Sequence, residues 1–497
     1  MRIPSPWFVV VARYRGAAMR RVGSVAAAVL LAAASAAPGA GVAVAQAGVL
    51  RPAVSDYVRL STDTAPPTQA DCAAINRRCF TPQAIWASYN INPLYQAGHD
   101  GHGITIAIVD SWGSDTIAND LHVFDTSFGV QPMCGEADVP CTPGMPTFKV
   151  MSFQGSPSTT PPPPTSRGTG QENKAAWALE VSLDVEWAHS IAPGANILLV
   201  TVPTAETLGV QGFPLMMQAE KQIVDQGLAQ VISQSFASAE DAFGSAQSLL
   251  SLRYAFKDAA QHGVTVLGSS GDGGTTNAYK QPVGQGGSGI PYPTVEWPAS
   301  DPLVTGVGGT YLCTDPTNTA ARVVDSSAPP AACPKYAPNA EAGWIAGGGG
   351  YSDVFSKPSY QDTLPTGSTS IGSMRGVPDV AYEASALTGV LVYDSLDGGW
   401  FVVGGTSVSC PNWAGLVAIA DQINGGGLGL INPGLYKIGA DSTRYASDFY
   451  DVTVGTNQLD PSIPGYTAST GWDPVTGLGT PNAANLLPDL VNAVNGN

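Results

Sequence analysis

The sequence predicts an α/β fold with a mostly parallel central sheet and helices on both of its faces. Two observations predict it. Short apolar runs alternate along the chain with stretches of helical period, and several of the runs end in glycine-rich turns. The 497-residue chain is 44% hydrophobic and only 12% charged, about half the roughly 25% charge of an ordinary soluble domain, so a large core can be buried. The 58 Gly and 40 Pro are separated by apolar runs throughout and read as loops and tight turns.

In chain order, residues 104–109 read as a buried strand and residues 174–190 as a helix. Residues 197–202 follow as a strand and 215–226 as a helix. The strand at 231–235 precedes a helix over 246–262, and the strand at 264–267 ends in Gly268-Ser-Ser-Gly-Asp272. Strands at 389–393 and 400–403 lead into a helix from about Pro411. Strands alternating with helices imply right-handed crossovers, and sites in such sheets form where strands end in glycine-rich turns. Residues 155–168, 273–289 and 347–350 read as loops. No internal repeat is present.

The flanks suggest export. Arg20 and Arg21 precede an apolar run over 25–34 and small residues, with cleavage sites at 43–45 or 45–47. Residues 1–47 are expected to be a signal peptide and 48–79 an extension wrapping the main domain at 80–497. A membrane anchor is the alternative for the first segment, but the run is short for a span and Pro38 breaks it. The mature protein is expected to be secreted, soluble and monomeric. The net charge of −17 leaves no basic stripe for nucleic acid or anionic membranes. Seven cysteines fit an oxidising compartment: Cys72 with Cys79, Cys134 with Cys141 and Cys313 with Cys333 are close enough to pair, and Cys410 is left as a buried packing residue.

Three segments carry chemistry. At about 100° per residue, Trp177, Glu180, Val181, Asp184, Trp187, Ala188 and Ile191 share one face of the first helix, and Ser182, Glu186, His189 and Ser190 fall largely on the other. Glu180 and Asp184 thus stand in the apolar stripe, where neighbouring carboxylates repel and at least one pKa rises. Surface acids on an imperfect helix, or a glycosidase pair, are the competing readings. Next, Gly404-Gly-Thr-Ser407 lies between a strand and a helix, which puts Ser407 at a helix N-terminus suited to an attacking alkoxide; a simple Ser/Thr helix cap would read the same. The chain has only five histidines, none with an obvious partner, so the misplaced carboxylates are better placed to act as base. Lastly, Asp272 amid glycines is either a turn cap or, when protonated, a donor to an oxyanion.

The Glu-x-x-x-Asp helix, the Ser-Ser-Gly-Asp-x-Gly turn and the Gly-Thr-Ser-x-x-x-Pro turn, in this order, resemble the sedolisin family of serine-carboxyl peptidases. The resemblance runs from about Phe80 to the C-terminus and implies a subtilisin-like three-layer fold. It implies Ser407 as nucleophile, Glu180 as its base, Asp184 behind Glu180, and Asp272 as oxyanion donor with backbone N–H groups, working in acid as an endopeptidase. It also implies one structural Ca2+, held by the Asp451 and Asp473 carboxylates and the carbonyls of Val452, Ser469 and Gly471, an oxygen-only set suited to a hard cation. Ser469 stands where the family usually has glycine, as does Ala237. An extended peptide substrate is expected to add as a strand along 233–237 and 347–350. Residues 48–79 are too few for the family's usual pro-segment. The competing functional reading is a secreted, catalytically silent binding protein on the same fold; a His-dependent peptidase is a third.

Overall fold

A computed structural model describes residues 51–52, 56–158, 174–203, 212–277, 289–320, 322–325 and 332–496. The expected signal peptide and residues 159–168 of the expected 155–168 loop lie outside them, as do 278–288.

The strands that matter for the site are β1 (Arg51–Pro52), β2 (Tyr57–Ser61), β3 (Thr105–Ser111), β4 (Phe148–Phe153), β5 (Asn196–Val202), β6 (Val231–Gln234), β7 (Phe236–Ala239), β8 (Thr265–Ser269), β9 (Glu296–Trp297), β10 (Thr305–Leu312), β11 (Glu341–Gly343), β12 (Val380–Glu383), β13 (Val390–Asp394) and β14 (Gly399–Val403). The helices that matter for the site are α1 (Ile117–Phe128), α2 (Lys174–Ile191), α3 (Phe213–Asp225), α4 (Tyr254–Gln261), α5 (Thr406–Asn424) and α6 (Ala483–Val494).

The main sheet runs in the order β11-β10-β8-β6-β3-β5-β4, with β12 also against β10. Its pairs are parallel from β4 through β10 and on to β12, and β11 adds an antiparallel edge. Side chains alternate along each strand, and β3 shows the result. Ile106 and Ile108 pack into one core with Leu183, Trp187 and Leu416 from α2 and α5. Ala107 and Val109 pack into a second core with Met216, Ile223 and Phe256 from α3 and α4. Helices therefore cover both faces, and the predicted three-layer α/β architecture is what the chain adopts.

Four expectations need correction. The helix expected over 246–262 is two, Ala246–Leu250 and α4, with a turn between them. The runs at 389–393 and 400–403 are not in the main sheet; β13 and β14 form a hairpin that β2 extends antiparallel. Helix α5 begins at Thr406, five residues before Pro411, which lies inside it. Proline has no N–H to give the carbonyl four residues earlier, so the Ser407 carbonyl is released from the helical ladder while the helix continues. Finally, α2 has no solvent face over its described side chains: Ser182, Glu186, His189 and Ser190 are as buried as Glu180 and Asp184. The wheel separated two faces correctly, but α1 and β13 cover the polar one.

The three disulfides are Cys72–Cys79, Cys134–Cys141 and Cys313–Cys333, and Cys410 is free and buried. Burial pushes the Cys410 thiol up to about 12, which makes it an inert packing group.

Candidate active site

The C-terminal ends of three adjacent parallel strands converge under two helices. β3 ends in Asp110-Ser111, β6 runs into Ser235, and β8 runs into the Ser270-Gly-Asp272 turn. Helix α2 packs directly on α5, and this contact brings Glu180 and Asp184 to the strand ends that also receive Ser407. All of these side chains are buried, Asp272 least so at 6% exposure.

The turn before Ser407 depends on glycine. Gly405 holds φ +128°, a region open to glycine and costly for other residues. A Cβ on Gly404 would collide with the Ala386 backbone. Thr406 then ties this turn to the one from β8. Its N–H and hydroxyl donate to Asp272 Oδ1 at 2.8 and 2.9 Å, and its oxygen accepts from Gly271 N at 3.1 Å. Asp272 and Ser407 are thereby held in fixed relation through one intervening residue.

Among the described residues, Asp110, Glu180 and Asp184 have no cationic partner. Glu180 is driven well above its usual pKa, first by burial and then by the charge of Asp110; the Ser407 hydroxyl pulls it down, and Asp272 adds a smaller upward push. The hydroxyl is thus close enough to act on the Glu180 proton. Yet neither Ser407 Oγ nor either Glu180 oxygen makes a hydrogen bond of standard geometry. Catalytic pairs without substrate are often long or misaligned and tighten on binding. Asp184 is likewise raised, by burial, Asp110 and Glu180 in that order, and accepts from the Ser235 hydroxyl at 2.9 Å.

Asp110 was not among the residues singled out from the sequence. Both its oxygens are buried without a hydrogen bond, and burial pushes it up to about 8. It belongs with Glu180 and Asp184 as a third carboxyl sharing few protons. The signal was present: an acid follows the apolar run 104–109 directly, as Asp272 follows 264–267. The histidines do have partners, contrary to expectation. His189 meets Asp125, His122 meets Glu136 and His262 meets Asp258, but among the described residues none pairs with the Ser407 cluster.

The segment expected to receive substrate, 233–237, runs into β7, and β1 pairs with β7 in antiparallel register, Arg51 opposite Ala237 and Pro52 opposite Phe236. β9 pairs with β7 as well. Asp56 returns beside the serine turn, its carbonyl accepting from Gly404 N at 3.0 Å. Across the cleft, Gly348 donates to the Gly271 carbonyl at 2.7 Å and accepts from Ser270 Oγ at 2.8 Å.

A separate oxygen-rich loop contains the expected cation ligands. Asp451 accepts from Gly471 N at 3.0 Å and Tyr445 Oη at 3.0 Å. Asp473 accepts from Ser469 N at 2.9 Å and Val475 N at 2.8 Å. Burial raises both carboxyls, Asp473 to about 7, and both charges reach the Tyr445 hydroxyl. Neither is ion-paired with a described cationic residue. The carbonyls of Val452, Ser469 and Gly471 accept no hydrogen bond among the described residues. One buried and one half-buried carboxylate, neither ion-paired among the described residues, beside three idle carbonyls fit a hard cation.

A scan against protein-family models returned no match. Among curated proteins, the chain is similar to kumamolisin of Bacillus sp. (strain MN-32), 30% identical over 446 residues that cover 89% of this chain and 69% of the relative. It is similar to tripeptidyl-peptidase 1 of Rattus norvegicus, 31% identical over 362 residues, covering 66% of this chain and 54% of the relative; the chain thus spans about half the length of the tripeptidyl-peptidases it matches. Among solved structures, Pseudomonas sedolisin (serine-carboxyl proteinase), complexed with two molecules of pseudo-iodotyrostatin, aligns with a TM-score of 0.62 and 26% identity, over 83% of this chain and 98% of that one.

Proposed function

Because the chain belongs to the sedolisin family of serine-carboxyl peptidases, we propose that it is a secreted endopeptidase that hydrolyses extended peptides in acid, with Ser407, Glu180, Asp184 and Asp272 as its catalytic groups. The observation that supports this reading is Glu180: a fully buried carboxyl with no cationic partner among the described residues, on which the Ser407 hydroxyl acts to lower its pKa.

The reaction then runs in two acyl transfers. Ser407 Oγ attacks the scissile carbonyl carbon as its proton passes to Glu180. Asp184, held by Ser235, keeps Glu180 in place and shares the charge. Glu180 returns the proton to the departing amine nitrogen as the C–N bond breaks, leaving an ester on Ser407. Water repeats the sequence with Glu180 as base, and the acid product leaves. The oxyanion would meet backbone N–H groups near Ser407 and a protonated Asp272, whose Oδ1 is occupied by Thr406 and whose proton would sit on the other oxygen. A single such donor contributes a rate factor of about 10²–10³.

A peptide would add along β7 and face residues 347–350, so β1 must leave before it can bind. Asp451 and Asp473, with the Val452, Ser469 and Gly471 carbonyls, would hold one structural Ca2+. The peptidase unit is taken as residues 80–497 and the working form as a monomer. The test is Ser407→Ala assayed on casein or a quenched peptide across acidic pH. Loss of hydrolysis with an unchanged circular-dichroism spectrum is expected; activity surviving the change rules out the nucleophile.

A further inference from the structure

The far half of α2 carries a second buried polar cluster, apart from Glu180 and Asp184. His189 faces Asp125 from α1 and Glu136 from the loop closed by Cys134–Cys141, and all three are at most 5% exposed. One ligand atom from each lies within 4.8 Å of the others. His189 Nε2 is 3.1 Å from Asp125 Oδ2 and 2.7 Å from the Gln131 carbonyl.

The hydrogen-bond geometry leaves this cluster unsatisfied. The hydrogen on Nε2 goes to Gln131, and both Asp125 oxygens are buried without any hydrogen bond. Glu136 takes the Met133 N–H and the partly exposed His122 Nδ1, the latter at 3.3 Å. No described Lys or Arg pairs with either acid. Two facing carboxylates in a water-excluded place repel strongly and need about two positive charges nearby. A shared proton with an imidazolium could supply them. So could one divalent cation: an imidazole nitrogen and two carboxylates from three segments lie within 4.8 Å of one another, and the Gln131 carbonyl lies 2.7 Å from His189 Nε2. The Gln131 carbonyl holds the hydrogen on Nε2, so metal binding there would move that proton to Nδ1, which is buried without a partner.

We propose that Asp125, Glu136, His189 and the Gln131 carbonyl form a structural site for one divalent transition-metal ion of the zinc class. Imidazole with carboxylate suits zinc and its neighbours, whereas calcium takes oxygen alone. The ion would clamp α2, the helix that carries Glu180 and Asp184, to α1 and to the disulfide loop. Its ligands must be deprotonated, so occupancy falls as the medium acidifies. The site does not depend on the catalytic assignment.

The experiment loads the full chain with Zn2+ at neutral pH, removes free metal, and measures zinc and calcium separately by elemental analysis. Wild type is expected to retain about one zinc per chain, His189→Gln and Asp125→Asn are expected to retain none above background, and a chelator is expected to lower the melting temperature of wild type until zinc is restored. Should the variants fail to fold, Co2+ added to wild type is expected to give the visible absorption bands of a low-symmetry, four-coordinate ion. Wild type that holds no zinc and melts unchanged with chelator overturns the proposal in favour of a proton-sharing cluster. So do folded variants that retain as much zinc as wild type, or Co2+ that stays spectroscopically aqueous.

Discussion

Among the described residues Glu180 has no counter-charge of the kind that usually accompanies a buried carboxylate, and its neighbours decide what it does instead. Burial acts on it first and Asp110 second. Asp110 therefore sets how readily Glu180 gives up its proton, although it does not face the serine turn in sequence. Asp110→Asn removes that charge, so the Glu180 pKa falls and the acid limb of the kcat/KM profile moves to lower pH, by up to about one unit; a pH profile of the variant checks this, and an unmoved limb separates Asp110 from the relay. Glu180→Gln is expected to lower kcat by about 10²–10⁴ at unchanged melting temperature. Glu180 and Asp184 were legible in the sequence because helical periodicity put two acids where apolar residues belong. Asp110 was harder to see, since one acid after a strand has no periodicity to violate. His189 was misplaced for a related reason: a wheel separates two faces but does not say whether the second one meets water.

At the scale of elements, the parallel core from β3 to β8 was readable because each strand is a compact apolar run with both faces covered. The hairpin of β13 and β14 was not, because a buried strand looks the same whichever sheet it joins. The β2 and β1 pairings were equally hidden, for segment 48–79 has polar, turn-rich composition and its pairing is set by distant partners. β1 has a functional consequence. It holds the edge of β7 in the antiparallel register that an extended peptide needs, and strand addition is a competition for the same backbone groups. A chain starting at Asp56 is expected to show a lower KM for peptides than one starting at Gly48, with kcat little changed. Steady-state kinetics on the two forms decide this, and equal KM values mean that β1 does not compete.

For the whole molecule, the number of buried, uncompensated carboxyls predicts stability in acid. Asp110 and Asp421 are each pushed up to about 8, mainly by burial. Between the unfolded carboxyl value near 4 and these folded values, the native state binds more protons than the unfolded chain. Stability then decreases as pH rises through that window. A carboxyl whose folded and unfolded pKa values differ by one contributes about 1.4 kcal/mol, and local relaxation around a buried group removes part of a larger difference. The melting temperature is still expected to be several degrees higher near pH 5 than near pH 8, as differential scanning calorimetry would show; a flat or rising trend toward pH 8 contradicts the burial account. The low content of charged residues, 12%, suits such a fold, since few ion pairs are lost when carboxylates protonate.

The most direct measurement is to trap the ester intermediate. Wild-type protein turning over a slow peptide ester at acidic pH is quenched in strong acid, digested and mapped by mass spectrometry. The account predicts an acyl adduct on the peptide containing Ser407, absent in Ser407→Ala and scarce in Glu180→Gln. An adduct on another residue, or steady turnover with no adduct under conditions where deacylation is slow, would contradict it.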